Sequence, residues 1–490
     1  MPADPQTIDV ARSHLAAGRL PEAEAACRQM LRDDEANPRA LHLLALIQGR
    51  NGRLAEGAAL LDRAVQLAPD VAAARNDLGA MLVTLARPLE AEAQFRAALA
   101  LAPDSAETEV NLGNAVHAQG RLEAAEGIYR AAVRRDPRHV RGLLSLGNLL
   151  CQMRRSGEAI EFLAAAVALA PGSAATHQFL GNALRDVGRI DDAIASYRRA
   201  IFIEPGIADA NENLGILLKD QGHCQEAITC FRASGKPQAR ALALECELRL
   251  GRHAEFFAWL EAHAAGEATN LHSASLSAYA AYHLGHADPH PFCPEPLAQV
   301  RVVDRYTAPA DAQFLRDLIR EAGGLDAVWE PRGVTTKRGF QTGGNLFAHG
   351  LGALARLHEE LVAELQRYRA ALRPAGMTLA TRWPSNMRLH GWYVRLLSGG
   401  HQYFHNHPFG WMSGCLYLQM PTAAPAGEGA IEFGLESGHF PRLSDRPAPT
   451  LLHQPVPGQV AFFPSSLYHR TIPFRSDEER LCIAFDLLPE

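Results

Sequence analysis

The first half of the chain repeats one pattern of apolar and small residues every 34 positions. Each unit carries a Leu-Gly pair, an alanine twelve positions after that glycine, a large apolar residue four positions later, and a proline near its end. The prolines are Pro69, Pro103, Pro137, Pro171 and Pro205, and the glycines of the pairs are Gly79, Gly113, Gly147, Gly181 and Gly215. A period of this length predicts a supersecondary unit stacked head to tail.

Each unit is interpreted as two antiparallel helices. The glycine and the alanine allow close packing of the two helices, and the proline ends the second one. This pattern resembles the tetratricopeptide repeat (TPR) family, which implies an all-α superhelical solenoid. We expect the array to span 1–265, with clear repeats over about 70–235 and weaker units before and after.

The second half has a different pattern. Residues 266–298 are predicted to be a linker, because Pro and His are dense in its later part, and His283, His286 and His290 are interpreted as solvated. From 299 to 490, helices are expected over 311–322 and 351–372, beside short apolar or alternating runs broken by Gly and Pro. Such runs are typical of a compact antiparallel β-structure.

Composition narrows the class of protein. The net charge of −6 gives no electrostatic reason to expect nucleic acid or an anionic membrane as a partner. No uncharged apolar run of about 18 residues is present, so no membrane span is predicted. The start of the chain lacks the pattern of a secretory signal, and the 8 cysteines form no CxxC pair. A cytoplasmic protein with reduced thiols is therefore expected.

Histidines in the last hundred residues suggest a metal site. His405 and His407 are spaced i, i+2, which would place both on one face of a strand. His469 follows a strand-like run that ends at Pro464, and Arg480 begins the final apolar run. In an eight-stranded jelly roll, side chains from distant strands meet around one mouth. A third imidazole could then complete a site with the first pair.

This segment resembles the double-stranded β-helix (jelly-roll) oxygenases that use Fe(II) and 2-oxoglutarate, in particular a bacterial and phage group. The matching motifs are His-x-His, Trp-x-Ser-Gly-x-x-Tyr, Phe-Pro-Ser-x-x-x-His and a following Arg, at His405, His407, Trp411, Ser413, Gly414, Tyr417, Phe463, Pro464, Ser465, His469 and Arg480. The resemblance implies iron held by His405, His407 and His469. It also implies that Arg480, with Tyr417 as a second candidate, binds the far carboxylate of 2-oxoglutarate.

The chain departs from the widespread triad of that family at His407, where a carboxylate is usual. Two other arrangements stay open: iron bound by His405 and His469 alone, or a carboxylate such as Glu432 or Asp486 arriving from another strand. The serine usual two residues after the arginine is Cys482 here.

The leading functional hypothesis is a dioxygenase that hydroxylates a protein or peptide captured on the concave face of the repeats. Asn114, Asn148 and Asn182 recur in register and could bind an extended peptide, although such an asparagine can also bond locally within its repeat. Repeat arrays also mediate dimerisation, so a homodimer stays open. Two alternative functions are a cupin-like metalloenzyme that does not use 2-oxoglutarate, and a non-catalytic scaffold with a degenerate barrel.

Overall fold

A computed structural model describes residues 5–331, 334–349, 352–372, 376–422 and 425–489. By packing, the chain divides into two compact units, the first ending at Leu217 and the second beginning at Leu218. Across the described ranges, no helix is both long enough and apolar enough to cross a membrane.

The first unit is a stack of antiparallel helices. From α3 to α12 the members of successive pairs alternate between 13 and 14 residues. The helices are α1 (Pro5–Ala16), α2 (Leu20–Asp33), α3 (Pro38–Arg50), α4 (Leu54–Leu67), α5 (Ala72–Thr84), α6 (Pro88–Leu101), α7 (Ala106–Ala118), α8 (Leu122–Arg135), α9 (Val140–Gln152), α10 (Ser156–Leu169), α11 (Ala174–Asp186), α12 (Ile190–Ile203) and α13 (Ala208–Asp220), of which the last crosses into the second unit. The predicted helix–turn–helix repeat is confirmed.

Glycine allows the two helices of a pair to approach closely. A Cβ added at Gly113 would lie 2.4 Å from an atom of the Tyr129 ring, which is closer than real Cβ contacts allow. The same relationship joins Gly79 to Phe95 and Gly181 to Tyr197. The predicted role of these glycines is therefore confirmed, and the aromatic ring of the second helix fills the space that the missing side chain leaves.

Four more helices belong to the second unit. They are α14 (Cys224–Ser234), α15 (Pro237–Arg249), α16 (His253–Glu267) and α17 (Leu271–Leu284). Helix α17 lies inside the segment that was predicted to be a linker. The solvated interpretation of the histidines there was wrong for His290, which is only 1% exposed. His283 is half-buried, and His286 is exposed, with its ring stacked on Phe257. The domain limits at 265 and 299 stay a prediction.

The rest of the second unit is a curled antiparallel sheet with supporting helices. The remaining helices are α18 (Ala312–Gly323), α19 (Gly352–Ala371) and α20 (Thr378–Thr381), with 3₁₀ turns at Pro296–Gln299, Pro309–Asp311 and Leu346–His349. The strands are β1 (Arg301–Asp304), β2 (Ala327–Trp329), β3 (Thr336–Thr342), β4 (Arg388–His405), β5 (Met412–Gln419), β6 (Ile431–Gly434), β7 (Thr450–His453), β8 (Gln459–Pro464), β9 (Tyr468–Thr471) and β10 (Arg480–Leu488).

The sheet order is β1-β8-β5-β10-β4-β9-β6-β7, with β3 also paired to β4 and β2 paired to β3. All of these pairings are antiparallel, and non-consecutive strands lie side by side. Strand β4 is 18 residues long and pairs with β10 along its first half and with β9 at its end. The expected antiparallel jelly-roll class is thus confirmed.

Alternation along β10 separates two cores. Leu481, Ile483, Phe485 and Leu487 face a cluster that includes the leucines of α19, whereas Cys482 faces an interior cluster. That interior contains Tyr417, Phe433 and Phe463. Side chains on the Cys482 face of β10, among them Arg480 and Asp486, therefore point into the sheet's concave side.

Candidate metal centre

Three imidazoles meet inside the curled sheet. His405 ends β4, His469 lies on β9, and the two residues are cross-strand partners in the antiparallel register. Their ring centroids are 4.3 Å apart, and the ring of His407 lies 5.1 Å from that of His405 and 5.0 Å from that of His469. One ring nitrogen from each histidine lies within 4.8 Å of the other two. The spacing suits three ligands of a single metal ion.

His407 reaches this group from a turn and not from a strand. Strand β4 ends at His405, so the prediction that both histidines share one strand face was wrong. The chain turns after His405, where the backbone N–H of His407 donates to the carbonyl of Ser465 at 3.0 Å. This bond joins the His405–His407 segment to the one that leads into β9.

A carboxylate orients the His407 ring. Nδ1 of His407 lies 2.6 Å from Oδ1 of Asp486, and the Ser413 hydroxyl donates to the same oxygen at 2.7 Å. The hydroxyls of Ser413 and Ser465 are hydrogen-bonded to each other at 2.8 Å. A carboxylate at Nδ1 holds the ring proton there and leaves the Nε2 lone pair for a metal. Asp486 and Glu432 are the two carboxylates named above as alternative ligands. Asp486 contacts a histidine of the group, whereas Glu432 forms an ion pair with Arg470 at 2.6 Å.

Burial keeps two of the imidazoles uncharged. It lowers the pKa of His405 to about 4, with the neighbouring His407 acting in the same direction. Burial also lowers the pKa of His469 far below its usual range, and this side chain packs 4.6 Å from the Phe463 ring. Neutral imidazole is the form that binds a metal, so the site is prepared for one near neutral pH.

Arg480 is buried without an acidic partner. It is 1% exposed, and Nε donates to the Gly429 carbonyl at 3.1 Å. Within the described ranges no carboxylate pairs with it. The guanidinium carbon lies 5.3 Å from the centre of the Tyr417 ring. The Tyr417 hydroxyl is buried and makes no well-formed hydrogen bond in those ranges, and the Cys415 thiol is among its neighbours.

An unpaired buried cation and an unsatisfied buried hydroxyl are costly unless a ligand completes them. The carboxylate of 2-oxoglutarate has the right charge and acceptor atoms, so these two residues fit that group. The thiol of Cys482, in the place of the family's serine, lies 3.4 Å from Arg480 Nη1. A hydrogen bond from Cys415 lowers the pKa of the Cys482 thiol, and the charge of Arg480 acts in the same direction.

Paired residues of β5 and β10 connect the two ends of the site. Asp486 is opposite Ser413 in the register, and Cys482 is opposite Tyr417. Asp486 and Ser413, which orient His407, therefore lie on the same face of the two neighbouring strands as Arg480 and Tyr417. Local spacing in the sequence contains no signal for this arrangement, because it depends on which strands become neighbours.

A pocket of about 530 Å³ opens beside the imidazoles. His405, His407 and Asp486 line it, together with side chains that the sequence did not point to: Val328, Val334, Gln341, Trp392, Gln402 and Phe409. Three of these lining side chains are exposed: Phe409 by 69%, Val328 by 56% and Val334 by 37%. Exposed apolar side chains concentrated at one opening are typical of a docking surface.

The three repeat asparagines occupy two kinds of environment. The Tyr129 hydroxyl donates to Oδ1 of Asn114 at 2.7 Å, and the Tyr197 hydroxyl donates likewise to Asn182. Asn148 is exposed, and its repeat has leucine at the tyrosine position. Local bonding therefore occupies the amide oxygen in two of the three repeats.

These features define a repeat protein joined to a jelly-roll domain with a three-histidine group. Residues 390–486 match the family model described as "Putative 2OG-Fe(II) oxygenase". Four overlapping stretches, 9–72, 42–106, 76–137 and 110–174, match a tetratricopeptide repeat model, and 181–222 match a second TPR model. The chain thus carries a TPR array followed by a domain of this oxygenase family.

Solved structures similar to this chain are repeat proteins. A tetratricopeptide repeat protein from Parabacteroides merdae is 17% identical, with a TM-score of 0.42, and the match covers 49% of this chain and 96% of that one. For PilF of Pseudomonas aeruginosa the identity is 18% and the TM-score 0.38, with 42% and 94% covered. YrrB, described as a TPR protein with an unusual peptide-binding site, is 20% identical with a TM-score of 0.31, and 38% and 95% are covered. No curated protein matches the chain.

Proposed function

We propose that the chain is an Fe(II)- and 2-oxoglutarate-dependent hydroxylase that acts on a protein or peptide. The observation that carries the proposal is the meeting of His405, His407 and His469 within 4.8 Å, inside the region that matches the oxygenase family. His407, oriented by Asp486, serves in place of the usual carboxylate ligand. Arg480 and Tyr417 would hold the far carboxylate of 2-oxoglutarate.

The chemistry of these cofactors is the oxidation of a substrate C–H bond by O₂, coupled to oxidation of 2-oxoglutarate. The residues of this chain would bind and orient the cofactors and the substrate, and would exclude water from them. Asp486 keeps the His407 proton on Nδ1, and Phe433 and Phe463 line the interior beside His469. The pocket bounded by Gln341, Trp392 and Gln402 would place the substrate next to the histidines.

Two features favour a macromolecular substrate. The pocket is lined in part by the exposed apolar side chains of Phe409, Val328 and Val334, which a polypeptide can cover. The TPR array offers a second surface, because arrays of this kind generally bind other proteins. On that surface Asn114, Asn148 and Asn182 would bind the peptide backbone. In Asn114 and Asn182 the amide nitrogen would donate to the peptide, since a tyrosine hydroxyl already donates to the amide oxygen.

Turnover tests this proposal. Full-length protein with Fe(II), 2-oxoglutarate and O₂ is mixed with a tryptic peptide pool, and succinate and peptides heavier by one oxygen atom are measured by mass spectrometry. We expect both products to depend on 2-oxoglutarate and to be lost in His469→Ala. Oxidation that proceeds without 2-oxoglutarate would instead indicate a cupin-like metalloenzyme. A protein that binds no iron and oxidises nothing would indicate a scaffold with a degenerate barrel.

Asn148→Ala tests the repeat surface. Because this side chain is exposed, its removal should leave the fold intact. If the asparagines bind the substrate, KM for a protein substrate should rise several-fold while kcat stays unchanged. An unchanged KM in the triple variant Asn114→Ala, Asn148→Ala, Asn182→Ala, with the fold intact by circular dichroism, would contradict this role.

A further inference from the structure

The hydroxyl of Ser275, on helix α17, joins two segments that carry the histidines. Nδ2 of Asn406 donates to the Ser275 oxygen at 2.9 Å. The same oxygen lies 2.5 Å from the carbonyl oxygen of Ser466 and 2.9 Å from that of Leu271, so its proton is shared between those two acceptors. Ser275 is 5% exposed and Ser466 is 4% exposed, which removes water as a competitor for these bonds.

Two of the three partners of the Ser275 hydroxyl are close to the candidate ligands in the chain. Asn406 lies between His405 and His407, and Ser466 precedes His469 by three residues. Strand pairing already joins the two segments, because His405 and His469 are cross-strand partners in the β4–β9 ladder. Outside that ladder, the backbone link between the segments in the described part of the chain is the bond from His407 N–H to the Ser465 carbonyl. Ser275 adds a further link through its side chain, from outside the sheet.

Helix α17 is itself firmly held. The Tyr279 hydroxyl donates to the Pro441 carbonyl at 2.9 Å, and Nδ1 of His283 lies 2.8 Å from the Ser444 hydroxyl. Leu276 and Ala280 of the same helix pack into a core with Phe256 and Phe257. A hydroxyl on such a helix has a fixed position, so it can fix the segments that bond to it.

We propose that Ser275 is a positioning residue for the metal centre. It clamps the His405–His407 turn to the segment before His469, so that the three imidazoles stay at metal-binding distance before the ion arrives. The metal part of this inference rests on the proposed function, whereas the clamp between the two segments does not. Because supporting partners of ligands typically change metal affinity by ~10–100-fold, loss of the Ser275 link, with strand pairing and the bond from His407 N–H to the Ser465 carbonyl retained, should cost about 10-fold, the low end of that range.

The test uses the full chain with Ser275→Ala, Ser275→Thr and the matched control Ser277→Ala. Ser277 is on the same helix and is fully buried, but its hydroxyl donates to Asp288 and not to the histidine segments. Co(II) affinity is measured by the visible spectrum of the bound ion. Hydrogen–deuterium exchange of the metal-free protein is measured over 404–410 and 464–470.

In Ser275→Ala we expect about 10-fold weaker Co(II) binding and faster exchange in both segments. Ser275→Thr, which retains the hydroxyl, should stay close to the wild type, and Ser277→Ala should change neither segment. Should Ser275→Ala fail to fold, Asn406→Ala removes the same link from the other side. Exchange in both segments equal to that of the wild type would overturn the clamp. Absence of Co(II) and Fe(II) binding by the wild type would overturn the proposed function, and exchange alone would then decide the clamp.

Discussion

The carboxylate of Asp486 lies 2.6 Å from Nδ1 of His407, although 79 positions separate the two residues in the chain. Strand β10 brings Asp486 opposite Ser413 on β5, and the turn after β4 brings His407 to the same place. A carboxylate in this position would support an imidazole ligand, and under the proposed function it would account for histidine where the related oxygenases commonly have an acid.

Replacing Asp486 by Asn should weaken metal binding. The amide can no longer hold the Nδ1 proton as a charged acceptor does, so we expect Fe(II) affinity to fall by ~10–100-fold, as for other supporting carboxylates. Anaerobic titration of the metal-free protein measures this change. Glu432→Gln is the matched control, because Glu432 pairs with Arg470 and not with a histidine. Equal affinities for Asp486→Asn and the wild type would refute the supporting role.

Replacing Arg480 by Lys should separate co-substrate binding from metal binding. Lysine keeps the charge but loses the two-pronged geometry, so we expect weaker binding of 2-oxoglutarate, by ~1.5–3 kcal/mol for a lost charge-assisted contact, with Fe(II) affinity unchanged. Tyr417→Phe should have a smaller effect in the same direction. Calorimetric titration with 2-oxoglutarate in the presence of Fe(II) measures both. The assignment fails if neither change alters the affinity for the co-substrate.

Two glycines of the repeat region should respond oppositely to alanine. At Gly113 the new Cβ would press on the Tyr129 ring, so we expect a loss of stability of ~1–3 kcal/mol from overpacking. At Gly127, in the middle of α8, a Cβ meets nothing within 4 Å, and alanine should stabilise by ~0.5–1 kcal/mol. Thermal unfolding followed by circular dichroism compares the two. A Gly113→Ala protein as stable as Gly127→Ala would contradict the packing described for the helix pair.

Acidification should lower the stability of the folded protein through the buried His290. Burial lowers the pKa of this imidazole to about 4 in the folded state, against ~6.5 in an unfolded chain. Its contribution to stability is therefore complete above pH ~6.5 and is lost as the pH falls toward 4, which amounts to ~2 kcal/mol between pH 6.5 and 5. Asp288 acts in the opposite direction, because burial raises its pKa to about 6.

His290→Asn isolates this contribution, since both proteins retain Asp288. The variant should lose less stability than the wild type between pH 7.5 and 5. All 5 tryptophans lie between 259 and 411, so tryptophan fluorescence during urea unfolding reports on the second unit. Parallel pH profiles for the two proteins would show that His290 does not titrate as a buried group.

The sequence was informative wherever a period or a motif determines the structure locally. The 34-residue repeat required helix pairs with a glycine against a large apolar residue, and Gly113 and Tyr129 show that contact. Helix α17 was not predicted because it is buried on nearly every side, from Leu271 to Ala281, and so shows no amphipathic period. Its polar residues, Ser273, Ser275 and Ser277, resembled a loop.

The meeting of the three histidines was expected from a family resemblance, whereas their support was not. Asp486 was considered as a ligand, and its position against His407 follows from the pairing of β10 with β5, which no local pattern specifies. Likewise, the turn that carries His407 out of β4 depends on a bond to Ser465, more than fifty residues away. The order in which the strands pair was harder to predict from the sequence than which segments form strands.

The central claim is that His405, His407 and His469 hold one ferrous ion next to 2-oxoglutarate. Anaerobic titration of the full-length protein with Fe(II) and 2-oxoglutarate, monitored for the weak visible charge-transfer band of the iron chelate, tests it most directly. We predict a band that saturates at one iron per chain, and its loss in His405→Ala and His469→Ala proteins whose circular dichroism is unchanged. No band in the wild type, or a band of full strength in both variants, would contradict the account.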